Sequence, residues 1–269
     1  MRVLFAEDQE EIRTLTTCQL ERSGHHVHAV GNGKEALNAL LHGRFDVILL
    51  DEEMPVMGGV QVAHTIRENE ARAGSHAFLI ALTGNNTKDD QARLGREGFD
   101  AVLGKPFRLD ALSEILDAAG TTLPLTSAPK KPPAAISAGI DDLLERIGGD
   151  EKLLNKMIQI FLRDTPKRIT GLQKALQRND ADEIASLAHA LKGSLGIFLA
   201  QHACDRAREL EQLGRKSELG GATAVYGALK EEIAKLEENL RGYAKDIQAQ
   251  PRSSVSKQAQ RLTGKRKKT

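Results

Sequence analysis

The sequence predicts two domains, an α/β domain with a doubly wound, five-stranded parallel sheet and an all-α helical bundle behind it. Three observations predict this arrangement. Short apolar runs alternate with amphipathic stretches up to about residue 119, the strand pattern then disappears, and a proline-rich segment separates the two halves.

Five apolar runs in the first half predict buried strands, because strands covered on both faces read as continuous apolar segments. Each run is followed by a stretch with helical periodicity, and this alternation is typical of a parallel sheet with helices on both faces. The predicted strands are Val3–Ala6, Val27–Val30, Val47–Leu50, Phe78–Leu82 and Ala101–Leu103, and the predicted helices cover 10–22, 34–42, 59–70, 88–96 and 109–118.

The second half shows only helical patterns. Four of the eight prolines fall within residues 120–137, which we interpret as a linker between a first domain at 1–119 and a helical bundle at 138–246. Apolar residues recur at helical spacing from Leu143 to Ile169, and further helices are predicted at about 180–198, 200–216 and 222–245. Pro166 lies inside the first pattern, which leaves open whether it kinks one helix or divides two.

Charge is distributed unevenly along the chain. Residues 251–269 hold seven Lys or Arg and no acid, so we interpret residues 247–269 as a basic, disordered tail.

No apolar run reaches the roughly 18 residues of a membrane helix, and we expect no membrane partner. The N-terminus does not resemble a secretory signal, and the two cysteines lie far apart in the sequence. We therefore expect a cytoplasmic protein.

Polar side chains gather where the predicted strands end. Glu7 and Asp8 follow the first strand, Asp51 the third, Thr83 the fourth and Lys105 the fifth. Functional crevices of open parallel sheets lie beyond these carboxyl ends. Three mutually repelling carboxylates favour a hard divalent cation, Mg²⁺. A carboxylate nucleophile beside Mg²⁺ and a lysine can form an acyl phosphate.

These positions resemble the receiver domain of bacterial response regulators. The resemblance rests on Glu7-Asp8, residues 51–59, Thr83-Gly84 and Lys105-Pro106, and it covers about residues 1–119. It implies a flavodoxin-like fold and phosphorylation of Asp51. It also implies Mg²⁺ held by Glu7, Asp8, Asp51 and the backbone carbonyl of Glu53, with phosphoryl oxygens bound by Thr83 and Lys105.

Three finer expectations follow from the same resemblance. Gly84 should leave the approach to the phosphate open, and the Lys105–Pro106 peptide bond should be cis. The family often carries an aromatic residue three positions before the lysine, where this chain has Val102. We therefore do not expect a switch that couples Thr83 to an aromatic side chain.

A histidine in the second domain lies off the apolar stripe of its predicted helix. The stripe comprises Ile184, Leu187, Ala188, Leu191, Leu195 and Phe198. His189 falls roughly 150° from the centre of this stripe, which predicts that it faces solvent. Lys192, one turn later, adds positive charge beside an incoming phosphoryl group, and Gly193 leaves room for a partner.

Residues 189–194, His-Ala-Leu-Lys-Gly-Ser, resemble the histidine-containing phosphotransfer (Hpt) domain, over about residues 138–246. Residues 143–151 fit the junction between that family's first two helices. The resemblance implies that His189 accepts a phosphoryl group from a receiver aspartate or returns one.

Together these features predict a bacterial phosphorelay intermediate. Asp51 would accept phosphate from a histidine kinase, hybrid kinases included, and His189 would exchange phosphate with receiver aspartates, including that of a downstream response regulator. We find no ATP-binding signature, so we expect a phosphotransfer signalling protein and not an enzyme. One alternative is a switch, in which the receiver controls access to His189 without Asp-to-His transfer. Another is nucleic-acid binding by the tail, against which the 3% aromatic content and the lack of a DNA-binding motif argue.

Overall fold

The computed structural model describes residues 1–73, 76–84, 87–105, 107, 109–120 and 140–249. Its strands are β1 (Arg2–Ala6), β2 (His26–Val30), β3 (Val47–Asp51), β4 (Phe78–Thr83) and β5 (Ala101–Gly104). Its helices are α1 (Glu10–Arg22), α2 (Gly33–His42), α3 (Gly59–Ala73), α4 (Lys88–Arg96), α5 (Leu109–Gly120), α6 (Ile140–Arg146), α7 (Glu151–Arg178), α8 (Ala181–Ile197), α9 (Gln201–Arg215) and α10 (Ala222–Ala249).

The two segments predicted to lack structure fall largely outside the described residues. Of the predicted linker, only Gly120 is described, as the last residue of α5. Of the predicted tail, residues 247–249 belong to the end of α10, and the rest lies outside the described range.

The first domain is the predicted five-stranded parallel sheet, with strand order β2-β1-β3-β4-β5. All five predicted strands are found, each extended by at most one residue at either end. The register places Asp51 opposite Leu82 and Thr83 opposite Gly104. The strand ends that carry the polar residues therefore meet at one edge of the sheet.

Hydrophobic cores on both faces of the sheet hold these strand ends in place. Every residue of β3 is buried, and successive strand residues alternate between two apolar clusters, one containing Leu4 and Ile48 and the other Phe5 and Leu49. Val102 is partly buried against the first cluster. It occupies the position at which the receiver family often has an aromatic residue.

Side-chain caps explain where several helices begin. The Asn32 side chain accepts a hydrogen bond from the backbone N–H of Glu35 at 3.0 Å at the start of α2. Thr87 and Asp90 form a capping box at α4. Asp180 begins α8 by accepting from the N–H of Glu183 at 3.1 Å.

The second domain is a bundle in which α8 packs against α7 and α9, and α10 packs against α7 and α9. Helix α7 continues through Pro166 without division, which settles the question left by the sequence. It ends at Arg178, and the following residue, Asn179, has a φ of 52° in the left-handed region that terminates helices. Among the described residues, no helix is both long enough and apolar enough to cross a membrane.

The two domains contact each other through α1, which packs against α7 and α8. Leu15 and Cys18 of α1 lie against the apolar core of the bundle, and Ile197 of α8 also contacts the apolar cluster of the receiver-like sheet. This contact brings the polar edge of the sheet to the helix that carries His189.

Candidate functional site: an acidic pocket that faces a histidine

Three carboxylates meet at the carboxyl edge of the sheet. Glu7, Asp8 and Asp51 each place one carboxylate oxygen within 4.8 Å of the others. Glu7 and Asp51 are buried and Asp8 is partly buried. The sequence predicted this convergence, because parallel strands bring their carboxyl ends to one edge.

Lys105 supplies the positive charge of the pocket. Its Nζ lies 2.5 Å from Glu7 Oε2 and 2.8 Å from Asp51 Oδ2. Burial opposes the charge on Lys105, yet the two carboxylates hold the pKa of its ammonium group above the ordinary value. The lysine is therefore a permanent cation in contact with two of the three acids.

The carboxylates nevertheless retain an excess of negative charge. Burial, followed by repulsion from Glu7, raises the pKa of Asp51 to about 7. Burial also raises the pKa of Glu7 and that of Asp8, the latter with a further contribution from Asp51. One lysine does not balance three acids, so the donor set fits a divalent cation bound by oxygen ligands.

The remaining predicted residues of the pocket differ in what the structure describes. Thr83 ends β4 and is buried, and its carbonyl oxygen accepts a hydrogen bond from the Lys105 N–H at 2.7 Å. The backbone N–H of Glu53 donates to Asp51 Oδ1 at 3.4 Å, whereas the Glu53 side chain points towards the bundle. Metal binding by the Glu53 carbonyl stays a prediction. Pro106 lies outside the described residues, and with it the predicted cis bond.

The prediction that His189 faces solvent was wrong, since only 7% of its surface is exposed. Helical periodicity correctly places it away from the bundle's apolar stripe, but the first domain covers this face of α8. Its Nδ1 lies 3.6 Å from Glu53 Oε2. The prediction failed because it considered the helix without the neighbouring domain.

Glu211 of α9 is a site residue that sequence reasoning missed. Its Oε1 lies 2.9 Å from His189 Nδ1, and Lys192 Nζ donates to its Oε2 at 2.5 Å. Burial alone would raise the pKa of Glu211, but hydrogen bonds from His189 and Lys192 lower it to about 2. One signal in the sequence could have found it. Glu211 lies four residues after Ala207 and three before Gly214, so helical spacing places this acid in the buried stripe of α9.

Two glycines lie where the domains approach each other beside the acidic pocket. A Cβ atom at Gly84 would lie 3.1 Å from His189 Cε1 and 2.8 Å from Lys192 Nζ. A Cβ atom at Gly193 would lie 2.6 Å from the side-chain oxygen of Gln9. Because Gly84 follows Thr83 directly, the imidazole of His189 lies beside the rim of the acidic pocket. The predicted roles of both glycines, to leave room for an approaching group, agree with this geometry.

Comparison with known protein families finds one match in each half of the chain. Residues 3–117 match the model of the response regulator receiver domain, and residues 156–239 match that of the Hpt domain.

Two bacterial sensor proteins are similar to this chain over most of its length. The virulence sensor protein BvgS of Bordetella bronchiseptica is 30% identical over 261 residues, which cover 90% of this chain and 21% of BvgS. The aerobic respiration control sensor protein ArcB of Escherichia coli is 27% identical over 248 residues, covering 90% of this chain and 30% of ArcB. The chain therefore spans between a fifth and a third of the length of these two relatives.

Solved structures also resemble parts of the chain. The receiver domain of sensor histidine kinase PA1611 from Pseudomonas aeruginosa, with a magnesium ion in its active site cleft, is 31% identical, with a TM-score of 0.40, and the match covers 45% of this chain and 98% of that one. A match from the Saccharomyces cerevisiae complex of Ypd1 with the receiver domain of Ssk1 is 28% identical, with a TM-score of 0.43, covering 46% of this chain and 92% of that one.

Proposed function

We propose a phosphorelay function for this chain, which joins a response regulator receiver domain to an Hpt domain. The two domains act in a phosphorelay, in which Asp51 and His189 carry the phosphoryl group and exchange it. The observation that carries this proposal is the position of His189, which is buried beside the acidic pocket of its own chain.

Mg²⁺ is the metal we propose for the pocket, which is of the kind at which receiver domains bind it. Glu7, Asp8 and Asp51 would hold the ion, and the carbonyl of Glu53 would complete the set. When bound, Mg²⁺ neutralises charge on the carboxylates and on the phosphoryl oxygens.

The residues of the chain support a transfer step that needs no additional proton donor. We assign the imidazole proton to Nδ1, where the Glu211 carboxylate accepts it, so that Nε2 carries the lone pair. This lone pair attacks the phosphorus of the Asp51 acyl phosphate. The Nε2–P bond forms, the P–O bond breaks, and its electron pair returns to the Asp51 carboxylate.

Charges on either side of the transfer are balanced by neighbouring groups. The phosphorylated imidazole becomes a cation whose Nδ1 proton remains hydrogen bonded to the Glu211 carboxylate. The regenerated Asp51 carboxylate faces Lys105. Thr83 and Lys105 are the groups we propose for the phosphoryl oxygens.

The phosphoryl group on Asp51 needs a donor. We propose a histidine kinase as the donor and the receiver of a downstream response regulator as the acceptor, which the likeness to sensor proteins supports. The role that we propose for the chain is that of a phosphotransfer signalling protein. We place it in the cytoplasm, which agrees with the free thiols of Cys18 and Cys204.

A second function is favoured by the same burial of His189. The receiver could act as a cover that hides His189 from other proteins and exposes it when Asp51 is phosphorylated. In that case no phosphoryl group passes from Asp51 to His189 within the chain.

Labelling of the full chain with radioactive acetyl phosphate separates the two functions. Relay activity predicts base-stable phosphohistidine in the wild type, only acyl phosphate in His189→Gln, and no receiver-dependent label in Asp51→Asn. EDTA should suppress all of it. His202→Gln, which changes an exposed histidine on α9, is the matched control and should behave as wild type. Acyl phosphate without any phosphohistidine in the wild type would contradict the relay and favour the cover.

A further inference from the structure

A row of opposite charges crosses the contact between the domains. We call it the charged seam, and it pairs three receiver acids with three Hpt arginines: Glu10 with Arg163, Glu11 with Arg168 and Glu53 with Arg215. Arg163 Nη2 lies 2.6 Å from Glu10 Oε2, and Arg168 Nη1 lies 3.3 Å from Glu11 Oε1. All acids lie on one domain and all bases on the other, so the two surfaces are electrostatically complementary.

The centre of the seam is buried. The side chain of Glu11 has no exposed surface, and that of Arg168 is 17% exposed. Arg168 also donates to Ser194 Oγ at 2.5 Å, and that hydroxyl lies 3.3 Å from both Glu11 Oε1 and Gln9 Oε1. A buried carboxylate needs a partner of opposite charge, and here the cation comes from the other domain.

Apolar and backbone contacts continue the interface beyond the seam. Leu15 and Cys18 lie against the core of the bundle. Arg22 Nη1 donates to the carbonyl oxygen of Ile147 at 2.6 Å. One continuous face of α1, from Glu10 to Arg22, is thus in contact with the Hpt domain.

We infer that the charged seam makes this chain's own receiver the preferred partner of its Hpt surface, and therefore a competitor of every other receiver for that surface. The inference rests on the proposed function and adds to it which receiver the Hpt surface prefers. The kind of partner that fits this Hpt surface is a receiver with adjacent carboxylates at the start of α1. Linkage in one chain strengthens the preference, because it replaces a bimolecular encounter by a high effective concentration.

A charge reversal at Glu11 tests the seam in cis. Glu11→Arg places a second guanidinium against Arg168, and transfer from Asp51 to His189 in the same chain should slow by at least about tenfold. The double variant Glu11→Arg with Arg168→Glu restores the opposite charges and should recover most of the rate. Glu21→Arg makes the same change at an exposed position of α1 and serves as the matched control.

The same substitution should act in the opposite direction in trans. The donor is a His189→Gln chain phosphorylated on Asp51, and the acceptor is an Asp51→Asn chain. Adding Glu11→Arg to the acceptor releases the acceptor's own receiver but leaves its Hpt surface intact. Phosphohistidine formation should then become several-fold faster.

Opposite changes in cis and in trans are the result that supports the seam. Wild-type rates in both assays for folded Glu11→Arg would overturn it, as would equal slowing in both assays. Circular dichroism and labelling of Asp51 by acetyl phosphate report the fold of the variant. If Glu11→Arg does not fold, Arg168→Glu breaks the seam from the Hpt side, and unchanged cis transfer in that variant overturns the inference equally. Absence of phosphohistidine in the wild type itself would instead refute the proposed function.

Discussion

Replacing Glu211 by glutamine removes one charge beside His189 while keeping the size and shape of the side chain. The carboxylate accepts from His189 Nδ1 at 2.9 Å and from Lys192 Nζ at 2.5 Å. Its pKa of about 2 shows that these contacts favour the ionised form strongly, despite burial. Glutamine can still accept the Nδ1 hydrogen bond through its amide oxygen, so the variant tests the charge itself.

The size of the effect follows from the type of hydrogen bond that is lost. Hydrogen bonds to charged groups contribute about 1.5–3 kcal/mol and neutral ones about 0.5–1.5 kcal/mol, a difference of about 1–1.5 kcal/mol. The difference counts most when the imidazole is a cation, which is the phosphorylated state. We therefore expect transfer to His189 in Glu211→Gln to slow by about tenfold.

Single-turnover transfer from a phosphorylated His189→Gln chain to Asp51→Asn, with and without Glu211→Gln, measures this rate. Nitrogen NMR of the imidazole reports the tautomer in parallel, and we expect a smaller Nδ1–H population in the variant. Glu209→Gln, two residues earlier on the surface of α9, is the control. A folded Glu211→Gln variant with the wild-type rate and tautomer would refute the proposal that the Glu211 carboxylate holds the proton on His189 Nδ1.

Three further predictions concern the pocket and its approach. The pKa of Asp51 is about 7 in the folded chain and 3.8 ordinarily. Between these two pH values the folded chain holds a proton on Asp51 that the unfolded chain has lost, so this carboxyl group lowers stability as the pH rises from 3.8 to about 7. Asp51→Asn should remove this pH dependence and raise the Tm of the metal-free chain at pH 8, with an increase in its free energy of unfolding of up to about 4 kcal/mol. Parallel pH profiles of stability for the two chains would contradict this. Lys105→Ala should retain Mg²⁺ affinity, measured by calorimetry, but lose phosphorylation, whereas Asp8→Ala should lose the metal; equal losses of affinity would refute the division of roles. Gly193→Glu should block transfer without unfolding the bundle, because even a Cβ there meets Gln9 at 2.6 Å; a folded variant that transfers at the wild-type rate would show that this face is not used.

The acidic pocket could be predicted because its geometry depends on local pattern and on one topological rule. Apolar runs identify the strands, and parallel strands place Asp51 and Lys105 at one edge regardless of the surrounding loops. Capping residues such as Asp180 likewise act within a few residues of their own position. The grouping of these site residues is visible in the structure, while their chemical roles stay predictions.

The surroundings of His189 could not be predicted in the same way. Its burial depends on the first domain, which docks on the polar face of α8, and helical periodicity contains no information about docking. Glu211 lies 22 residues away, on another helix, with no local spacing to connect it to the histidine. The same holds for Arg168 and Glu11, whose pairing spans 157 positions of the sequence.

Gly84 and Gly193, the two glycines where the domains meet beside the pocket, separate a part of recognition that many receivers share from a part that is specific to one receiver. At both points the backbone of one domain meets side chains of the other, so the approach requires a glycine but recognises no particular side chain there. Any receiver with a glycine after its phosphate-binding threonine can present this surface to His189. Individual identity is left to the charged seam. One histidine can thus serve two receivers in succession, provided that both have this glycine, and their charges at the seam then decide which of them binds more tightly.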